Sequence, residues 1–378
     1  MCTRSVGTRN VFETPTTLTA GDAPEGRIIG LNGTGRGAAT ARASSLSGVR
    51  LPAITPRRYL TIAYVALGAL TAIVLTGAAV RLTDSGLGCP DWPRCYGKAV
   101  PPLSFHSVIE YGNRVFSAGV GIVVLGAWVA ALLRTPRRRD IVWTATLLPL
   151  GVLAQGVLGG FTVRHELAPG YVMAHFGLSM LILIAAVALV FRARTPDSPA
   201  APRRAAHDRA TVWLVRGLAV LGAIVLFVGT AATASGPHAG GSHGDLIHRL
   251  DFKGPGHTLV WVIHRHATLA SLLGLGVILA WFLAKRREQD RDLADTLMVA
   301  GVLMAAQGLV GTVQYELALP SDIVWVHVTL ATITWISLLW CVGVAGRLAP
   351  RGTAPGPPAA GGERSAETAE PVEALARH

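Results

Sequence analysis

Charge is scarce in this chain. Only 15% of its 378 residues are Asp, Glu, Lys or Arg, against 51% apolar. A water-soluble fold of that size would be badly under-solvated, which excludes the ordinary soluble globular class and makes the bilayer the expected solvent. The mean hydropathy of +0.45 agrees. An apolar core is missing from the first 50 residues, so no cleavable signal peptide is expected and the first apolar helix serves as the insertion signal. A single basic face is missing too. The formal net charge is +12, yet the arginines and lysines fall in alternate loops, which argues against a nucleic-acid partner.

What is present are eight stretches long and apolar enough to cross about 30 Å of hydrocarbon, a span of roughly 20 helical residues. They run Leu60–Val80, Val108–Leu133, Ile141–Thr162, Tyr171–Phe191, Val212–Ala234, Leu259–Ala284, Leu297–Tyr315 and Ile323–Gly346. The expected fold is an all-α polytopic membrane protein whose eight transmembrane helices form two tandem, same-orientation four-helix bundles. Basic clusters at Arg57 and Arg58, at Arg134 and Arg137 to Arg139, at Arg192 to Arg209, and at Lys285 to Arg291 mark one side. The positive-inside rule makes that side cytoplasmic. Both termini are then inside, as in a multi-pass protein of a bacterial plasma membrane. Residues 1–56 and 347–378 have little to bury and read as disordered tails.

An internal repeat organises the spans. Gln155 and His175 recur as Gln307 and His327, each 152 positions later, and Gly77 recurs as Gly229 at the same spacing. Two halves follow, residues 57–200 and 201–346, joined through a Pro- and Arg-rich linker. An even number of crossings per half relates them by an axis along the membrane normal, so equivalent residues share a depth. Asn113 and His264 fall about five residues inside their helices, and His175 and His327 about four, roughly 6 to 8 Å below the outer interface.

Imidazoles inside a membrane mark functional positions, although each can also serve simply as a hydrogen-bonding link between helices. The pair His264 and His327 could ligate a haem iron from two faces. His266 lies about 200° round the helix from His264, so only one of the two can face the interior. The pattern His264-Arg265, matching Asn113-Arg114 at a spacing of 151, selects His264. Arg114 and Arg265 are candidates to pair with haem propionates, with snorkelling to lipid phosphate as the alternative. Glu110 shares a face with Asn113 and is either a catalytic or proton-relay carboxylate or the i, i+4 partner of Arg114. Trp261 stands at the corresponding place in the second half.

The remaining histidines, His106, His165, His238, His243, His248 and His257, fall in outer loops without a recognised metal-ligand spacing and read as solvated. Cys2 is in the tail and Cys341 in the last helix as a small apolar filler. Cys89 and Cys95 share the first outer loop, where an oxidising compartment permits a disulfide. Reduced or metal-binding thiols are the alternatives. Gly156, Gly160, Gly308 and Gly311 either allow close helix packing or leave room for a macrocycle.

Four segments carry a family resemblance over roughly residues 59–346: Val80-Arg-Leu-Thr-Asp-Ser-Gly-Leu-Gly-Cys-Pro-Asp-Trp-Pro, Ile109-Glu-Tyr-Gly-Asn-Arg, Gln155-Gly-Val-Leu-Gly-Gly-Phe-Thr-Val and Gly236-Pro-His-Ala-Gly. With the second-half histidines they resemble the haem A synthases, membrane oxidoreductases that convert haem O to haem A for cytochrome oxidase. The resemblance implies that His264 and His327 hold a haem b while the first half receives haem O as substrate and releases haem A. It makes Glu110 the required carboxylate, and Cys89 with Cys95 a redox-active or structural pair. The family commonly has histidine where this chain has Asn113, which leaves His175 as the single ligand to the substrate haem iron. Partners implied are an electron donor, the haem O-forming enzyme, cytochrome oxidase assembly factors and membrane lipid, with a homo-oligomer allowed. The competing readings are a two-haem b-type cytochrome that only transfers electrons, and a transporter.

Overall fold

The computed structural model describes residues 53–197, 209–238, 240, 249–254, 256–286 and 291–346. Among them are eight α-helices and no strand: α1 Pro56–Leu82, α2 Phe105–Leu133, α3 Arg139–Arg164, α4 Pro169–Arg194, α5 Arg209–Ser235, α6 His257–Lys285, α7 Arg291–Glu316 and α8 Ser321–Ala345. All eight are long and apolar enough to span a membrane. They extend the sequence-predicted spans at most ends, although α2 ends on the expected Leu133 and α8 stops at Ala345, before the expected Gly346. Thr55 caps α1 by accepting the N–H of Arg58, with Pro56 at the first helical position, where its missing donor costs nothing. Ser104 caps α2 through the N–H of Ser107.

Most of the sequence expected to be tail or linker lies outside the described residues. Residues 53–56 do not, and they are ordered. Ile54 pairs with the α2–α3 turn through hydrogen bonds to Leu133 and Thr135. That turn is also held by charge. Arg134 is 2% exposed and grips both carboxylate oxygens of Asp197 at 2.8 Å, while Arg138 reaches Asp140 and Asp197. Removing one partner of a buried pair strands the other charge. Asp197→Ala is therefore expected to lower stability by about 3 kcal/mol, read as an earlier thermal unfolding transition in detergent. A shift no larger than that of an exposed aspartate elsewhere would contradict it.

The buried residues form two clusters. One joins Leu70, Val124, Leu148 and Leu183 of α1 to α4 and also takes in Trp335 and Leu339 of α8, and the other joins Leu218, Val277, Leu297 and Cys341 of α5 to α8. Hydrocarbon gives no drive for apolar helices to leave lipid, so packing and buried hydrogen bonds hold the seam between them. α8 supplies most of these contacts. Trp325 donates to the Leu75 carbonyl at 3.0 Å, and Trp335 to that of Met180 at 3.1 Å. Phe191 lies against Gly343, where an added methyl would stand 2.5 Å from its ring.

The repeat is visible in backbone detail. Gln155 donates to the carbonyl of His175 at 2.9 Å, and Gln307 to that of His327 at 3.0 Å. Glu166 and Leu167 after α3, and Ala318 and Leu319 after α7, all have positive φ. That conformation is unusual for residues with a side chain.

Candidate functional site

The disulfide end of α1 to α4 encloses a cavity of about 600 Å³. That size suits a ligand of several hundred daltons. Its wall includes Glu110, Asn113 and Arg114 of α2, Gln155 of α3, His175 of α4 and Arg81 of α1. Gly77 and Gly156 also line it, and a side chain at either would meet nothing within 4 Å. These two glycines leave space for a ligand. Gly160 does something else: the Trp92 indole packs on it at a distance that forbids a methyl.

Each histidine rests on a glycine. Gly159 would touch the ring of His175 at 3.3 Å, and Gly311 that of His327 at 3.1 Å. The Nδ1 atoms of His175 and His327 are shielded from solvent and have no hydrogen-bond partner. Asn113 accepts a hydrogen bond from Thr76 at 2.8 Å, which turns its amide along the cavity wall.

One sequence expectation is corrected on helix α6. His264 is exposed, whereas His266 turns inward, with its ring centroid 6.2 Å from that of His327. Its Nδ1 donates to the Val225 carbonyl at 3.0 Å, and Gly229 leaves room for the ring. The cause is register. Val124 and Val277, Ala127 and Ala280, and Ala131 and Ala284 are buried pairs 153 positions apart. That spacing makes His266 the counterpart of Asn113. Trp261, which the 151 spacing set opposite Glu110, lies at the surface against Arg265 and Lys253. Arg265 is likewise exposed and stacked on that indole, away from both imidazoles.

Glu110 combines features of both sequence alternatives, because it is at once an ion-pair partner and a cavity residue. One oxygen meets Arg114 at 2.5 Å and the other accepts the Cys89 N–H at 2.6 Å. Arg114 also donates to the carbonyls of Asp91, Arg94 and Cys89. This carboxylate–guanidinium pair thus clamps the first loop onto the cavity. Cys89 and Cys95 are joined as a disulfide with their Cα atoms 4.7 Å apart. Within the loop Asp91 accepts the N–H groups of Gly97 and Tyr96. The Gly97 bond, with that from Tyr96 adding to it, holds this carboxyl below the usual aspartate range. A lowered folded value gives a contribution that is complete above the unfolded pKa and is lost as pH falls through the folded one. Amide exchange at Tyr96 and Gly97 is expected to quicken on acidification, beyond its intrinsic pH dependence, only below the ordinary aspartate range. Asp91→Asn should remove that step, and a step that persists would contradict the assignment.

Of the histidines expected to be solvated in outer loops, His106 lies instead in the first turn of α2 and, like His238, is half-buried. His106 bonds the Ser85 hydroxyl, His165 stacks on Tyr171, and His238 meets the Leu319 carbonyl. His257 opens α6, while His243 and His248 lie outside the described residues. Among the described residues no three His, Cys, Asp or Glu side chains form a metal-binding group.

A family model described as cytochrome oxidase assembly protein, COX15-CtaA, matches residues 60–108 and 104–242. The chain is 34% identical over 255 residues to a heme A synthase of Symbiobacterium thermophilum, an alignment covering 62% of this chain and 78% of that protein. The chain belongs to the haem A synthase family. A second member, the heme A synthase of Shewanella oneidensis, is 31% identical over 172 residues, which cover 41% of this chain and 51% of the relative. The chain thus spans about half the length of that relative in the alignment. The family-model match takes in the whole cavity wall of α1 to α4 and the α5 segment that carries Val225 and Gly229.

Proposed function

We propose that this protein oxidises the ring methyl of haem O to the formyl group of haem A, with the cavity of α1 to α4 as the reacting chamber. The observation that carries this is the inequality of the two halves. One has a roomy cavity whose wall bears a single imidazole, His175, beside the Glu110–Arg114 pair. The other has two facing imidazoles, His266 and His327.

The second pair fits a resident haem b. Their ring centroids are 6.2 Å apart and the buried Nδ1 of His327 has no hydrogen-bond partner, so His266 and His327 would hold the group between them. The Val225 carbonyl fixes the His266 tautomer with its proton on Nδ1, leaving Nε2 as the ligand atom. Bound there, a haem supplies one-electron transfer.

In the reacting chamber His175 holds the substrate iron from one side, and Asn113, a poor iron ligand tied to Thr76, leaves the opposite side uncommitted. Gly77 and Gly156 accommodate the flat ring. Glu110 can take up or release a proton beside the reacting carbon, but protonation must weaken its bond to Arg114 or to the Cys89 amide. The disulfide loop is thereby coupled to the charge on Glu110. The two halves divide at residue 200 and the basic loops face the cytoplasm; methyl plus water gives formyl plus four protons and four electrons, so an external oxidant takes up those electrons, and where that oxidant is dioxygen a separate donor supplies the electrons that activate it.

The test is haem extraction from cells that make haem O, with and without this protein. Haem A is expected only when the protein is present. Haem O persisting unchanged beside folded, haem b-loaded protein would sink the enzymatic assignment.

A further inference from the structure

Neither arginine that the sequence nominated for a carboxylate is free to take one. Four of the five N–H groups of Arg114 are occupied, two by the carbonyls of Asp91 and Arg94, and two by Cys89 and Glu110. Arg265 lies at the surface on Trp261. The cavity holds another guanidinium. Arg81, the second-last residue of α1, lines its wall, and Arg81 Nε is sealed from solvent without a hydrogen-bond partner. Among the described residues no carboxylate pairs with Arg81.

Its side chain is held in place. Gly240, from the segment after α5, packs so closely that a methyl there would stand 2.9 Å from Arg81 Cγ. The Gly240 carbonyl accepts the Gly86 N–H at 2.8 Å, and its φ of +106° suits glycine alone. Backbone from the second half therefore closes the first-half cavity over Arg81. An unpaired cation in such a site is costly, and a ligand that supplies the counter-charge removes the cost. The planar fork of arginine matches a carboxylate in a bidentate pair.

We propose that Arg81 anchors a propionate carboxylate of the porphyrin substrate, setting the carboxylate edge of the macrocycle under the Gly86–Gly240 closure. This rests on the haem-substrate assignment above. Arg114 then serves the disulfide loop, and Arg81 serves the ligand.

The test titrates zinc protoporphyrin IX and its dimethyl ester, by fluorescence, into purified protein whose second-half haem is already bound. Esterification removes the carboxylate charge and keeps the ring. Wild type should prefer the diacid. Arg81→Gln should lose about tenfold or more of diacid affinity and none of its ester affinity, with Arg81→Lys between the two. Unchanged diacid affinity in Arg81→Gln overturns the proposal, as does equal loss of both ligands, which would make the residue structural. If wild type binds neither porphyrin, the substrate assignment itself falls and takes the anchor with it. Loss of preference in Arg114→Gln, with Arg81→Gln unaffected, would move the anchor to Arg114.

Discussion

Replacing His266 with alanine is expected to abolish the low-spin b-type haem spectrum of the purified protein, while His264→Ala leaves it intact. The two residues are two positions apart, yet only His266 faces His327. With one of the two imidazoles gone, the site would lose a ligand to the haem or stay empty, so the low-spin bands should vanish rather than weaken. His327→Ala should do the same. Gly311→Val offers a graded version, because a methyl at Gly311 already lies 3.1 Å from the His327 ring. Loss of the spectrum in His264→Ala, with His266→Ala unaffected, would restore the register suggested by the His-Arg motif.

The second large effect belongs to Glu110. Glu110→Ala is expected to keep the second-half spectrum and to lower haem O conversion by about 100-fold or more, the usual scale for a lost acid–base group. The alanine also strands Arg114 and releases the Cys89 amide, so it removes both charge and clamp. Glu110→Gln separates the two. It retains an acceptor for the amide and lacks the ionisable proton, so a chemical role predicts the same loss of conversion with the loop still in place. Full conversion by Glu110→Gln would reduce the residue to a structural tie.

The helices were legible in the sequence because a bilayer imposes a length, and eight apolar stretches of that length leave little choice. The repeat was legible because Gln155 and Gln307 each hold the backbone of the next histidine-bearing helix, a role that requires the same residue in both halves. Helix phase was not. A soluble helix shows its buried side by an apolar stripe, but α6 is apolar all round, since lipid covers what protein does not. Lacking that stripe, the His-Arg motif set the register and selected His264. The role of Arg114 was hidden for another reason: three of its acceptors are loop carbonyls, and carbonyls carry no residue-type signal. The freedom of Arg81 is the counterpart of that commitment, and only the folded loop reveals it.

Helix α8 has a consequence for anyone who would re-engineer this protein. His327 looks toward His266, and the very next residue, Val328, lines the cavity of the other half. Trp325, half a turn away, is tied to the α1 backbone. Successive residues on one helix therefore serve both halves, His327 beside His266 and Val328 on the wall of the first-half cavity. A substitution chosen to retune the potential of one site will shift the shape of its neighbour, so variants selected for altered redox behaviour should be screened for substrate fit at the same time. Splitting the chain between α4 and α5 would leave the first chamber without part of its wall.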